Sequence, residues 1–275
     1  MNRIDSMFSR LRKRREAALI PFITTGDPDI ATTEALILEM DRQGADLIEL
    51  GLPFSDPLAD GPTIQASSQR ALRRKINAKD LFRLVEKVRK RTGIPLVLMG
   101  YYNPVLQYGL SAFAKDAANS GLDGTIIPDL PLEEAGAWMA VAKPQGLANI
   151  LLVAPNTPAD RARKIAKATQ GFMYYVSVTG ITGARARLPA ELSQGLNGIR
   201  QLTSKPVAVG FGISTPDQVS MLSAVADGII VGSAIIKLIE AHTIKQGDDL
   251  KAGPDLVKKV GEFIEELKKA TKTGY

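Results

Sequence analysis

The sequence predicts an α/β protein, a (β/α)8 TIM barrel with an added N-terminal helix. Three observations carry that expectation. Eight short apolar runs recur at fairly even intervals along the 275 residues, with helical patterns filling the gaps. The runs are nearly continuous in Val, Ile and Leu rather than alternating, as strands covered on both faces of a parallel sheet read. No Pro/Ser-rich linker or low-complexity segment divides the chain, so residues 1–275 are expected to form one domain. An open, doubly wound sheet of eight strands is the alternative arrangement of the same units.

The elements follow in order. Ile4, Met7, Phe8 and Leu11 recur at helical spacing, and RLRKRR at 10–15 lies largely on the opposite face. The strand candidates are ALIPFIT at 18–24, ADLIELG at 45–51, IPLVLMG at 94–100 and GTIIPD at 124–129, then NILLVA at 149–154, FMYYVSV at 172–178, PVAVGFG at 206–212 and GIIVG at 228–232. Asp29 precedes a helical pattern that stops at Gly44. Thr157-Pro158 opens a helix through Ala168, with the proline in its first turn and Gly171 beyond its end, and Ser214 or Thr215 with Pro216 opens another. Leu256, Val260, Phe263, Ile264 and Leu267 share one face of a C-terminal helix, expected on the barrel exterior.

Composition narrows the chemistry. The chain has no Cys and only His242, which excludes a thiol nucleophile, a disulfide framework and any multi-His metal site. No metal ligand set is expected. No apolar run approaches the roughly 20 residues that span a bilayer, and the N-terminus does not read as a signal peptide. A cytoplasmic protein is expected, or a plastid stromal one after transit-peptide removal if the source is a plant. Of the net charge of +6, the first 20 residues hold +4, with Arg3, Arg10, Arg12, Lys13, Arg14 and Arg15 against Asp5 and Glu16. That cluster reads either as an arm for nucleic acid or membrane, or as the solvated face of an amphipathic helix. The absence of aromatic interleaving and of a second basic cluster favours the solvated face.

In a barrel, the loops after the strands build the active site. Glu49 is a carboxylate inside an otherwise apolar strand, where desolvation raises its pKa toward the range useful for proton transfer; a structural ion pair is the other reading. Asp60 follows in a long Pro-punctuated loop, either as a second carboxylate at the same mouth or as a turn or cap residue. SVTGITGARAR at 177–187 is a lid or a plain surface connection. Of Tyr174 and Tyr175, strand alternation sends one into the mouth and one toward the helices. GFGIST at 210–215 and VGSAI at 231–235 are consecutive glycine-bearing segments leading into helix N-termini, the common barrel site for a phosphate.

Taken together, these residues resemble the α subunit of tryptophan synthase. The resemblance runs from PFITTGDPD at 21–29 to VGSAIIKLI at 231–239, and ADLIELGLPFSDPLADGPTIQ at 45–65 is its most specific part. MGYYNP at 99–104, GTIIPDLPLEE at 124–134, LLVAPNTP at 151–158, YYVSVTGITGAR at 174–185 and VGFGIS at 209–214 extend it. It implies a barrel lyase that cleaves indole-3-glycerol phosphate to indole and glyceraldehyde 3-phosphate in tryptophan biosynthesis. It also implies no cofactor in this chain, and a pyridoxal-phosphate β subunit that receives the indole in an α2β2 assembly. No nucleic acid or membrane partner is implied.

Position by position, the resemblance makes Glu49 the catalytic acid/base, Asp60 the second carboxylate and Tyr174 the active-site tyrosine. Gly183, Gly212, Gly232 and Ser233 match phosphate-binding positions, and Phe22, Ile64 and Phe211 match the indole pocket. Pro53, Asp56 and Thr182 become residues that communicate with the partner. Val178 departs from the pattern, since many relatives carry Arg there, and the 10–15 cluster is more basic than the family implies. A stand-alone lyase of this fold and a non-catalytic activator of the β subunit are the alternatives. Other phosphate-binding barrels typically place a catalytic Lys or His on a strand, and no strand here carries either.

Overall fold

The computed structural model describes residues 2–176, 190–210, 212–247 and 249–272. The chain opens with α1 (Arg3–Arg14), β1 (Ala18–Thr24), α2 (Ile30–Arg42) and β2 (Ile48–Gly51). Two helices follow, α3 (Pro62–Arg73) and α4 (Ala78–Arg89), then β3 (Leu96–Met99), α5 (Tyr102–Tyr108), α6 (Leu110–Ser120) and β4 (Gly124–Ile126). Next come α7 (Gly136–Ala142), β5 (Ala148–Ile150), β6 (Leu152–Val153), α8 (Ala159–Ala168), β7 (Met173–Val176) and α9 (Ala190–Leu202). The chain continues with β8 (Val207–Gly210), α10 (Pro216–Ser223), β9 (Gly228–Val231) and α11 (Ser233–Ala241). A hairpin of β10 (Thr243–Gln246) and β11 (Asp249–Ala252) then leads to α12 (Leu256–Ala270).

The parallel strands lie in the order β5-β4-β3-β2-β1-β9-β8-β7-β6. Only Leu151 separates β5 from β6, so the two ends of that row are one stretch of chain and the sheet closes into a barrel. The predicted fifth strand is therefore two segments. The interruption has a local cause: the Leu151 N–H donates to the Thr169 hydroxyl instead of to a neighbouring strand. The helix expected to begin in its first turn with Pro158 starts one residue later, with Pro158 in the cap position. Thr157 serves the preceding turn, its hydroxyl accepting from the Ala154 N–H.

Why the strands read as unbroken apolar runs is now clear. Ala18, Ile20, Leu47, Val97, Ala148, Ile150, Phe172, Tyr174, Ala208 and Ile230 fill the lumen. Leu19, Ile23, Ile48, Leu50, Leu96, Leu98, Met173, Tyr175, Val207, Val209, Ile229 and Val231 pack outward into the core shared with the helices. Both faces of each strand are buried, so alternation is present in the structure and hidden in the hydropathy.

The N-terminal helix is a plug. Ile4, Met7, Phe8 and Leu11 join the lumen cluster, with the Phe8 ring 5.6 Å from that of Phe172. Asn2 caps the helix by accepting from the Ile4 N–H and ties it to the barrel by donating to the Asp123 and Gly146 carbonyls. Arg10, Arg12, Lys13, Arg14 and Arg15 remain exposed on its other face. The C-terminal helix also behaves as its spacing requires, with Leu256, Val260, Ile264 and Leu267 buried and Phe263 partly so, against α2, α10 and α11.

One device recurs where strands enter the barrel. Asp46, Asp123 and Asp227 each stand just before a strand and accept a hydrogen bond from the start of the neighbouring one, at the N–H of Leu19, Leu96 and Val207. Cations cover them: Lys268 lies 2.8 Å from Asp46, Arg89 2.7 Å from Asp123 and Arg200 3.3 Å from Asp227. Partly or fully buried carboxylates with both backbone and cationic partners register adjacent strands. Among the described residues, no helix is long and apolar enough to cross a membrane.

The plug generates a direct expectation. Phe8→Ala should lower the free energy of unfolding by about 3 kcal/mol, because a buried ring is replaced by a cavity at the lumen base. Arg14→Ala, on the exposed face, should change it by less than about 0.5 kcal/mol. Denaturant unfolding of both variants checks the pair.

Candidate active site

Glu49 occupies the lumen position that follows Leu47 along β2. Its register partners are Phe22 on β1 and Val97 on β3, and the residue is fully buried. Neither carboxyl oxygen has a hydrogen-bond partner among the described residues. Desolvation pushes the group up to about 8, so it is a neutral acid at pH 7 with a proton to give. Among the described residues, nothing forms a structural ion pair with it.

Asp60 approaches from the loop between β2 and α3. Its N–H closes a turn on the Pro57 carbonyl and its own carbonyl accepts from Gln65. The cap of α3 is Gly61, with Pro62 in the first turn, so the Asp60 side chain is not used as a helix cap. Burial raises its carboxyl to about 6, while a hydrogen bond from Tyr101 opposes the rise. The two carboxyl groups therefore differ in charge at neutral pH, one protonated and one ionised.

Tyr174 is the lumen member of the tyrosine pair and Tyr175 the outward one. The Tyr174 hydroxyl is pushed well up by burial and by the nearby charges of Glu49 and Asp60, which brings all three groups to one mouth. Gly210 makes room for it, since a Cβ there would stand 2.5 Å from the Tyr174 hydroxyl oxygen. Phe22 lies beside them. A Cβ at Gly51 would come within 2.6 Å of its ring, and one at Gly232 would touch its Cβ at 3.5 Å. Phe22 thus spans the gap between the end of Glu49's strand and the entry to α11.

Gly232 and Ser233 stand where β9 becomes α11, at a helix N-terminus whose first N–H groups have no partner within the helix. Gly212 has φ +73, a conformation that favours glycine, and the turn after it is held by the Gln218 side chain accepting from the Ser214 and Thr215 N–H groups. Arg70 on α3 braces this side of the barrel. It pairs with buried Asp27 in the loop after β1 and with Glu240 on α11, each at 2.8 Å.

The remaining expectations divide. Thr182, Gly183 and Phe211, with Val178 and the whole of 177–187, lie outside the described residues. Ile64 is partly buried on α3 and packs against the same core cluster as Phe22. Pro53 is buried and lines a groove with Leu52, Ile76 and Tyr108; Asp56 is exposed in the same loop. At the loop's tip, Leu58 is 93% exposed, the most exposed large apolar side chain described.

Tyr101 is the residue the sequence reading missed. It is buried at the end of β3, accepts from the Ala59 N–H at 2.9 Å and stacks at 5.3 Å on Phe54. The available signal was its place at the C-terminal end of a barrel strand, inside MGYYNP. Among the described residues, no group of three or more His, Cys, Asp or Glu could hold a metal ion.

Comparison with known proteins agrees with this geometry. Residues 8–272 match the family described as tryptophan synthase alpha chain. The chain is 49% identical over 272 residues to the tryptophan synthase alpha chain of Geotalea uraniireducens, covering 99% of this chain and 98% of that one. It is 48% identical over 270 residues to that of Geobacter sulfurreducens, covering 98% and 99%. Among solved structures, tryptophan synthase subunit alpha from Legionella pneumophila superposes with a TM-score of 0.89 at 38% identity, over 98% of each chain. A chain of Mycobacterium tuberculosis tryptophan synthase gives 0.88 at 34% identity, also over 98% of each.

The unpartnered carboxyl predicts a stability change with a defined sign. Below about pH 4.5 Glu49 is protonated in folded and unfolded chains alike and carries no pH-dependent penalty. Between that value and about 8 the unfolded chain releases a proton that the folded chain keeps, so stability falls as pH rises. Glu49→Gln should therefore stabilise the protein by several kcal/mol at pH 8 and above, with the gain shrinking to zero near pH 4. Denaturant unfolding across that range measures it.

Proposed function

The chain belongs to the tryptophan synthase alpha chain family, and from that premise we propose that Glu49 and Asp60 together perform the alpha reaction. That reaction is the retro-aldol cleavage of indole-3-glycerol phosphate to indole and D-glyceraldehyde 3-phosphate, a lyase step of L-tryptophan biosynthesis. The observation that carries the assignment of roles is the difference in burial, Glu49 sealed in the lumen with no described partner and Asp60 half-buried in a loop, which pushes their carboxyls apart to about 8 and about 6.

The chemistry needs both states. The bond from indole C3 to the side chain breaks only after C3 is protonated, which gives an indoleninium cation. Neutral Glu49 donates that proton and becomes a carboxylate. Ionised Asp60 accepts a hydrogen bond from the indole N–H and stabilises the cation as it forms. The Glu49 carboxylate then takes the proton of the side-chain hydroxyl. The C–C bond electrons return to the ring, the hydroxyl carbon becomes the aldehyde, and Glu49 ends as it began. Tyr174 and Phe22 flank the reacting ring, with Ile64 and Phe211 completing the indole pocket. The phosphate is held by N–H groups around Gly183, Gly212, Gly232 and Ser233.

A beta-subunit partner is implied by the family. The loop bearing Pro53, Asp56 and exposed Leu58 is the surface offered to it, and Thr182 joins that loop in signalling. The assembly is an α2β2 heterotetramer in which the beta subunit carries pyridoxal phosphate and this chain has no cofactor of its own. The whole chain, 1–275, acts as a single domain in the cytoplasm.

An indole-release assay tests the reading. Glu49→Gln should abolish turnover while binding of indole-propanol phosphate is retained; appreciable residual turnover would remove Glu49 from the proton path. For the unmodified chain, kcat/KM should trace a bell, because the free enzyme needs Asp60 ionised and Glu49 protonated. The rate should fall below about pH 6 and above about pH 8. A profile flat across both values contradicts the assignment.

A further inference from the structure

The outer face of α1 carries Arg10, Arg12, Lys13, Arg14 and Arg15, all exposed. Among the described residues none of these five forms an ion pair. The carboxylates at this end of the barrel are held by other cations, Asp123 by Arg3 and Arg89, and Glu16 and Asp46 by Lys268. The Arg12 side chain donates to the Ser204 carbonyl at 3.4 Å. Helix α12 treats its surface cations differently, pairing Lys259 with Glu262 and Lys269 with Glu265.

The scaffold does not need the α1 charges. Ile4, Met7, Phe8 and Leu11 seat the helix in the lumen. Arg10 and Arg14 are a like-charge i,i+4 pair, which weakens a helix. A cation in the last turn meets the helix dipole favourably, but Arg10 precedes that turn and Arg15 follows it. Arg15 also takes φ +54, in the left-handed region that glycine or asparagine enters at less cost. Charges that the fold opposes and does not use point to a partner outside the chain.

In one dimension these residues have no second basic cluster beside them, yet the fold assembles one. Exposed Lys143 begins the turn that ends at Gly146, whose carbonyl accepts from Asn2. Ser204, the acceptor for Arg12, adjoins Lys205, whose ammonium donates to the carbonyl of exposed Lys167. Exposed Lys272 lies one turn beyond Lys268, which reaches Glu16 just after α1. Three other elements thus bring cations to the borders of the helix.

We propose that this face binds the phosphate backbone of duplex nucleic acid without reading its sequence, a partner beyond what the family implies. Four of the five α1 cations are arginine, whose guanidinium fork matches phosphate oxygens in a way that an ammonium does not. Among the described residues no aromatic side chain is exposed, so nothing here stacks on an unpaired base, and contact is with the backbone alone. A basic amphipathic helix that binds membranes inserts its apolar face, and in α1 that face is sealed in the lumen. The face lies at the strand entries, away from Glu49, Asp60 and the loop bearing Leu58, so the inference does not depend on the reaction assigned to them.

Fluorescence anisotropy of a labelled DNA duplex of about 20 base pairs, with the full chain, tests it. Binding at about 50 mM salt should weaken steeply toward about 200 mM, with a log–log slope of about −4.5 for five phosphate contacts. Arg10→Gln with Lys13→Gln and Arg14→Gln removes three of them. The slope should then shrink to about −2, and binding at about 50 mM salt should weaken by more than about tenfold. Should that variant fail to fold, Lys13→Gln alone should reduce the slope by about one. Absence of duplex binding at about 50 mM salt, or an unchanged slope in whichever variant folds, overturns the proposal. So does displacement of the duplex by poly-L-glutamate of equal charge, which would make the partner an acidic protein. Retention on phosphatidylserine vesicles without duplex binding overturns it too, in favour of a membrane.

Discussion

A carboxyl group sealed without a partner in an apolar barrel is energetically costly, and much of this molecule is arranged around that burden. Among the described residues no side chain pairs with Glu49 to hold it ionised. Val97 and Ile230 fill the lumen around it, and α1 closes the base with Phe8 and Leu11. Dryness keeps the proton on Glu49 to about pH 8. The same dryness raises Tyr174 and would raise Asp60 further were Tyr101 not donating to it. One environment thus produces an acid and a base from two chemically similar side chains. The difference between them is a single hydrogen bond and partial exposure.

The two ends of the barrel treat buried carboxylates in opposite ways. At the strand entries, Asp46, Asp123 and Asp227 each have a backbone donor and a cation, which is how buried charge becomes a stabilising feature. At the strand exits, Glu49 has neither among the described residues. Satisfied groups hold the scaffold, while Glu49, the residue proposed as the acid, is left without a described partner, a division that parallel barrels permit because their two ends are built from different loops. Arg70 is the exception on the functional side. Its bonds to Asp27 and Glu240 link α3, which follows Asp60, to the loop after β1 and to α11, the helix that would receive phosphate.

Charge misleads when read as a total. The +6 suggests an anionic substrate, yet five basic residues of α1 lie exposed around the plug, at the base formed by the strand entries. Their helix is held by apolar residues on its inner face, and the cations in its last turn favourably meet the negative end of the helix dipole. An anionic substrate is better accounted for by the N–H groups at the start of α11.

Strand count, helix caps and the plug's apolar face were legible because they depend on local spacing, which survives in one dimension. Asp29, Thr215 and the Leu256–Leu267 stripe could be read for that reason. Glu49 was visible as one charged residue in an apolar run, and its family motif named a role. What remained hidden were relations between residues distant in the chain. Whether Glu49 had a partner, which of Tyr174 and Tyr175 faced the lumen by geometry alone, and that Tyr101 reaches back 42 positions to Ala59 all depend on where strands come together. Sequence alone determined the repeating units and the residues able to do acid–base chemistry. Closure of the sheet decided their protonation, because desolvation and hydrogen bonding are set by what surrounds a group in space.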